Sequence, residues 1–150
     1  MNRPRGKFGL SVLVLLLVTG ATLAADMMMN HSMGRHHQGM MVGVPEPYRD
    51  MRNPLSASDE VVVEGGQLFQ ANCAVCHGKL GYGNGPAAEE LSPRPSNLNA
   101  FMKMRMMARD NYLFWTISEG GKRFNTAMPA FKDSLSEKDR WKIIRFLRTL

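Results

Sequence analysis

The chain has 150 residues, 44% of them hydrophobic and 21% charged, with 14 Gly, 8 Pro and 2 Cys, which allows one compact domain with tails and excludes two full domains or wholesale disorder. Two cysteines cannot build a disulfide-rich scaffold or a four-cysteine zinc ribbon. Three of the 19 Lys and Arg (Arg3, Arg5, Lys7) lie in the first seven positions, so from residue 26 onward 16 basic residues face 13 acidic ones, a balance too mild and scattered for nucleic-acid binding.

Residues 1–25 read as a secretory signal. The three early positive charges precede an apolar run over 10–18, broken only by Ser11, and small residues come next at Gly20, Ala21, Ala24 and Ala25. A positive start, a short apolar centre and a small-residue end are the three parts of such a signal, and the charges keep the N-terminus on the cytoplasmic side. Arg3-Pro4-Arg5 is not a twin-arginine pair, so export in an unfolded state is expected. Cleavage after Ala25 or Ala24 would leave a chain starting near Asp26. The alternative is an uncleaved anchor, for which residues 8–25 sit at the lower limit of spanning length. Either way the rest of the chain is expected outside the cytoplasm, periplasmic or otherwise extracytoplasmic. Membrane association is expected only through an uncleaved segment or a membrane-bound complex.

Residues 26–57 differ in composition from the remainder of the chain. Met27, Met28, Met29, Met33, Met40 and Met41 interleave with His31, His36 and His37, and Pro45, Pro47 and Pro54 come after them. Neither a helical nor a strand period holds, and prolines discourage regular structure, so the segment reads as a flexible tether. Thioethers suit Cu(I) and imidazoles Cu(II), which makes these nine side chains candidate copper ligands; a low-complexity spacer is the simpler alternative.

The domain is expected over 58–150. Ser58 is a candidate helix cap with Asp59 and Glu60 in the first turn, and Val61, Gly65, Leu68, Phe69 and Asn72 fall at helical spacing after it. Residues 78–99, rich in Gly, Pro, Ser and Asn, read as a loop. Residues 109–119 read as a short helix stopped by Gly120-Gly121. A second loop passes through Met128-Pro129. The last helix begins at Ser136 with a capping box in which Asp139 replaces the usual Glu, and its apolar face is Ile143, Phe146, Leu147 and Leu150. With no convincing strand, the fold class is all-α with long loops. Such a domain makes a thin core, and small domains usually need a cofactor or cross-link.

Both cysteines fall in Cys73-Ala74-Val75-Cys76-His77. Cys-x-x-Cys-His is the attachment signature for c-type haem: two thiols add across the vinyl groups as thioethers and the adjacent His presents a ring nitrogen to the iron. Attachment of this kind takes place outside the cytoplasm, in agreement with the signal. A thioredoxin-type pair would need a βαβ pattern, which is missing. A zinc site would need a second pair of ligands, and the other histidines lie in the tether. For the sixth iron position the candidate is Met128, because Pro129 fixes the local backbone and biases Met128 towards an extended conformation. The methionines of 102–107 read instead as gap-filling packing at the haem edge or surface.

These residues together resemble the class I c-type cytochromes, small monohaem electron carriers of bacterial type. Gly65 and Phe69 stand eight and four residues before Cys73, as in the family's first helix. Cys73, Cys76 and His77 match its attachment site and proximal ligand, Gly78 with the 81–86 stretch its Gly-Pro turn, and Met128-Pro129 its distal ligand. Ile143, Phe146 and Leu147 match its final helix, which crosses the first near Gly65. The resemblance covers 58–150 and implies a small cytochrome c fold around one covalent haem c. It further implies a backbone carbonyl accepting from the second ring nitrogen of His77, with Pro86 the candidate, and offers Arg94 and Trp115 as haem-propionate neighbours, against plain surface or core placement for both.

A haem iron with His and Met both bound has no open position and suits one-electron transfer between redox protein partners rather than catalysis; a place as a small subunit of a respiratory or quinol-linked complex fits equally. The rival readings are a haem peroxidase or gas sensor, which needs a labile Met128, and a metal-handling protein built on the Met/His tether.

Overall fold

The computed structural model describes Met41 and residues 43–150. The expected signal over 1–25, its cleavage point and the copper candidates Met27, Met28, Met29, His31, Met33, His36, His37 and Met40 lie outside the described residues. Met41 lies within them and is exposed.

Among the described residues the domain is built from helices α1 (Asp59–Asn72), α2 (Ala74–His77), α3 (Leu98–Met102), α4 (Asp110–Glu119) and α5 (Glu137–Leu147), with 3₁₀ turns at Ala88–Glu90 and Lys122–Phe124. No strand occurs among them, and the fold is the all-α one expected. The caps are those the sequence announces. Ser58 Oγ accepts from the Val61 N–H at 3.4 Å, and Ser136 Oγ accepts from the Asp139 N–H at 3.1 Å. Asp139 answers through its carboxylate, which takes the Ser136 hydroxyl proton at 2.7 Å.

Helices α1 and α5 cross at Gly65. A Cβ there would stand 2.1 Å from the Lys142 carbonyl oxygen and 3.1 Å from Phe146 Cβ, so the close approach of the two backbones requires glycine. Below the crossing, the Phe69 and Phe146 rings meet at 5.2 Å between centroids, and Phe69, Ile143 and Ile144 are fully buried. Helix α4 is laid on α5 by Phe114, which stacks on Trp141 at 3.9 Å and 15°. The Arg140 guanidinium covers the Phe114 ring at 4.6 Å and donates to Ser118 Oγ, a cation–π contact and a charged hydrogen bond in a desolvated place.

Two expectations are corrected. The part of the expected tether that the structure describes does not hang free: Val44, Tyr48, Met51 and Leu55 pack on the core. Polar groups fasten this strap to two helices. Tyr48 Oη donates to Glu119 Oε1 at 2.5 Å, Asn53 N–H to Asp110 Oδ2 at 3.1 Å and Asn53 Nδ2 to the Trp141 carbonyl at 3.0 Å, while Arg145 donates to the Leu55 carbonyl. The prolines disfavour a helix here; a turn over 46–50, closed by Tyr48 N–H on the Pro45 carbonyl at 2.9 Å and Met51 N–H on the Tyr48 carbonyl at 3.1 Å, shares the backbone's hydrogen bonding with partners across the chain. The second correction is α3, which begins inside the expected loop 78–99; Asn97 caps it by accepting from the Ala100 N–H at 2.9 Å. In the adjoining 102–107 segment Met102 is buried and Met104 and Met107 pack against the core, where a thioether fills irregular gaps, while Met106 is exposed.

Candidate functional site

The site grows from the junction of α1 and α2. The Cys73 N–H still donates to the Phe69 carbonyl at 2.8 Å, and the Cys73 carbonyl accepts from Cys76 at 3.1 Å and His77 at 2.8 Å. One helical turn therefore sets the two sulfurs three residues apart on one face, and the His77 ring comes directly after. Both thiols are free.

The loop after His77 folds back along α2. Gly83, Gly85 and Ala87 donate to the carbonyls of His77, Cys76 and Val75 at 2.7, 3.1 and 3.0 Å. Contact this close excludes a side chain at Gly85, where a Cβ would lie 2.4 Å from the Val75 carbonyl oxygen. The returning arm of the loop brings the Ser96 carbonyl to 3.0 Å from His77 Nδ1. That bond commits Nδ1 as the protonated nitrogen and leaves Nε2 for a ligand.

Another part of the cavity lining comes from the segment after α4. The Gly121 N–H donates to the Met128 carbonyl at 2.9 Å, and the Gly121 carbonyl accepts from Thr126 at 3.1 Å. Beyond Pro129, Phe131 and Lys132 donate to the Ile117 and Ser118 carbonyls at 3.1 and 3.2 Å. Cys73, Cys76, His77, Arg94, Thr126 and Met128 line one cavity, closed by apolar groups such as Leu91, Pro95 and Phe131. A second, open depression lies on the outer face of α1 beside Val63 and Phe146; it holds no titratable or sulfur-bearing side chain.

Burial, with a smaller contribution from neighbouring Cys76, pushes the Cys73 thiol up to about 12. It is a protonated thiol at neutral pH, unlike the activated thiolate of a disulfide oxidoreductase. Burial holds His77 below the usual histidine range, only partly opposed by the Ser96 carbonyl, so the ring is neutral, the form that binds metals. Among the described residues no group of three His, Cys, Asp or Glu side chains converges on a metal-sized point, and a zinc site has no ligand set there. The donor set fits haem c instead. It pairs two adjacent free thiols for thioether attachment with a neutral imidazole whose second nitrogen is already oriented. Met128, with its thioether, lines the same cavity, and the apolar groups there would suit a flat apolar ring, with Arg94 also on the lining.

Four of the sequence candidates, Cys73, Cys76, His77 and Met128, thus meet in one cavity, joined by Arg94. Pro86 is corrected: the acceptor for His77 Nδ1 is the Ser96 carbonyl, and Pro86 lies between Gly85 and Ala87, both tied to the carbonyl end of α2. Trp115 takes the core placement. It is 3% exposed, set edge-on to Tyr112 and Phe124 with Arg123 at 5.7 Å from its ring, and it is not among the residues lining the cavity. Sequence reasoning missed Ser96 because the acting group is a backbone carbonyl, common to every residue type. It read Gly120-Gly121 as a helix stop alone, although the pair also touches the Met128 loop. No helix among the described residues is long and apolar enough to cross a membrane.

The family described as cytochrome c oxidase, cbb3-type, subunit III matches residues 60–147. A solved structure, the Kuenenia stuttgartiensis reducing HAO-like protein complex Kustc0457/Kustc0458, superimposes with a TM-score of 0.51 at 21% identity, covering 64% of this chain and 46% of that one. The chain thus spans less than half of that relative's length, and the likeness is one of fold. No curated protein matches. The family match spans well over half of the chain, and the chain belongs to this family: it carries an electron-carrying c-type cytochrome domain of the small all-α kind.

Proposed function

We propose that this member of the cbb3-type cytochrome family is an exported, non-enzymatic carrier of single electrons, with one haem c attached through Cys73 and Cys76 and ligated by His77 and Met128. The observation that carries the reading is convergence. Residues from a short helix, a glycine loop and a methionine–proline loop, some 50 positions apart, line one cavity, with the histidine Nδ1 already bonded. The signal pattern of residues 1–25 supports export, and thioether attachment outside the cytoplasm agrees with it.

The bound haem would supply a one-electron couple. Around it, Ser96 orients the His77 ring through Nδ1 and raises the donor strength of Nε2. His77 and Met128 would hold the iron, and a thioether beside an imidazole would give its one-electron couple a higher potential than two imidazoles would. Leu91, Pro95 and Phe131 would shield the bound ring from water, and the Arg94 guanidinium would balance the charge of acidic substituents. The family's description, a subunit of a cytochrome c oxidase, supports redox protein partners as donor and acceptor, met through weak and transient contacts.

A redox-titrated optical spectrum of the purified holoprotein tests this reading. The expected result is one haem per chain that survives denaturing electrophoresis, an Fe–S charge-transfer band in the oxidised form and no carbon monoxide adduct in the reduced form. Haem lost on denaturation would refute the attachment. Ready carbon monoxide binding would instead favour a gas-binding or peroxidase role with an open sixth position.

A further inference from the structure

The glycine pair after α4 does more than stop a helix. Gly120 has φ +70° with ψ −163°, a backbone region that side-chain-bearing residues avoid. A Cβ on it would stand 2.6 Å from the Met128 carbonyl oxygen and 2.6 Å from the Pro129 carbonyl carbon. At Gly121 a Cβ would stand 1.7 Å from Thr126 Oγ1 and 3.1 Å from Met128 Cβ. The Gly121 peptide also exchanges two hydrogen bonds with the same loop, donating to Met128 and accepting from Thr126. An ordinary helix stop needs a glycine for its left-handed turn. It does not need a second one, nor does it explain why both bare Cα atoms face the loop carrying Met128.

We propose that Gly120-Gly121 is the seat of the Met128 loop, a positioning element that fixes how firmly the Met128 thioether is presented to the cavity. This rests on the reading of Met128 as the sixth ligand. Loop ligands are weakened by loop freedom, and a tightly docked backbone reduces the entropy lost when the side chain is fixed. Pro129 cannot donate a hydrogen bond; Phe131 and Lys132 anchor the chain after it on the Ile117 and Ser118 carbonyls, while up to Met128 the anchors are the Met128 carbonyl and the Thr126 N–H, and both meet Gly121.

The test uses holoprotein and exogenous imidazole, which competes with Met128 for the iron. Gly121→Ala is expected to weaken the Fe–S charge-transfer band and to tighten apparent imidazole binding roughly tenfold, with α-helical circular dichroism unchanged. Adding Thr126→Ala removes the atom nearest the new Cβ; because Thr126 also lines the cavity, the double variant is compared with Thr126→Ala alone and is expected to match that variant's band and imidazole affinity. Wild-type imidazole affinity in Gly121→Ala, or a double variant no better than the single one, would overturn the proposal. Should Gly121→Ala not accumulate as folded holoprotein, the double variant decides: accumulation with the affinity of Thr126→Ala supports the seat, and failure to accumulate or a tighter imidazole affinity than that variant's overturns it. Met128→Ala is the reference. If it also leaves the band and the affinity unchanged, Met128 is not the ligand, and the ligation reading itself falls before the seat is judged.

Discussion

At Met128 the side chain and the backbone have separate tasks. The carbonyl is held by Gly121, while the residue lines the cavity that His77 also lines. Met128→Ala should therefore leave the loop in place and remove only the thioether. The expected outcome is loss of the Fe–S charge-transfer band, a lower reduction potential and carbon monoxide binding by the reduced protein. Met104→Ala should change none of these, because Met104 packs against the core away from the cavity lining. A potential titration with carbon monoxide difference spectra on both variants checks the contrast; an intact band in the Met128 variant would move the sixth ligand elsewhere. At this scale the sequence is informative where a side chain's chemistry is unusual. Cys-x-x-Cys-His and Met-Pro announce themselves by identity. Ser96 contributes only a carbonyl to His77, and no residue type signals that, so sequence alone does not separate it from Pro86.

Among the elements, those with a period and a cap are legible in the sequence. Helices α1, α4 and α5 start where apolar spacing and the Ser58 and Ser136 caps place them, within a residue or so, but α5 ends at Leu147 and leaves Leu150, expected on its apolar face, beyond the helix. The strap over 44–55 is not legible, because its order comes from partners 57 to 92 positions away rather than from its own pattern. Helix α3 escapes notice because five residues are too few to show a period. The two kinds of element make different predictions. Asn53→Ala removes the side chain that donates to the Trp141 carbonyl and accepts from the Leu55 N–H at 3.0 Å. It should lower unfolding stability by about 1–3 kcal/mol while leaving the haem spectrum unchanged, since the strap does not line the cavity. Gly65→Ala instead forces a Cβ against the Lys142 carbonyl, costing about 1–3 kcal/mol as overpacking and spreading α1 from α5. Denaturant unfolding of both variants measures this; an Asn53 variant as stable as the wild type would mean that the strap's apolar side chains alone hold it.

Over the whole molecule, the strap is tied down by carboxylates, which makes its attachment sensitive to acid. Asp110, in the first turn of α4, accepts from the Asn53 N–H at 3.1 Å and from Arg148 Nη2 at 2.6 Å. It thereby joins the strap, α4 and the end of α5. Burial alone would raise its pKa, but the Arg148 and Asn53 hydrogen bonds and the Arg148 and Arg145 charges outweigh that and hold it below the usual aspartate range. At the other end of α4, Glu119 is also lowered, first by the Tyr48 hydroxyl and then by Lys132. A carboxylate whose pKa is lower folded than unfolded adds stability that is fully present above the unfolded pKa of about 4 and is lost as pH falls through the folded value. Stability should therefore be nearly level between about pH 7 and 5 as far as these groups are concerned, and fall below about pH 4. Glu119 is well exposed, so salt should weaken its share; Asp110 is better shielded and should retain more of its own. Asp110→Asn keeps the size of the side chain and removes the charge. It should lower stability at pH 7 and reduce the acid loss, so that the wild-type and variant unfolding midpoints converge as pH drops towards about 3. Parallel midpoint-against-pH curves for the two proteins would show that Asp110 contributes no proton-linked stability and that the strap is held by packing instead.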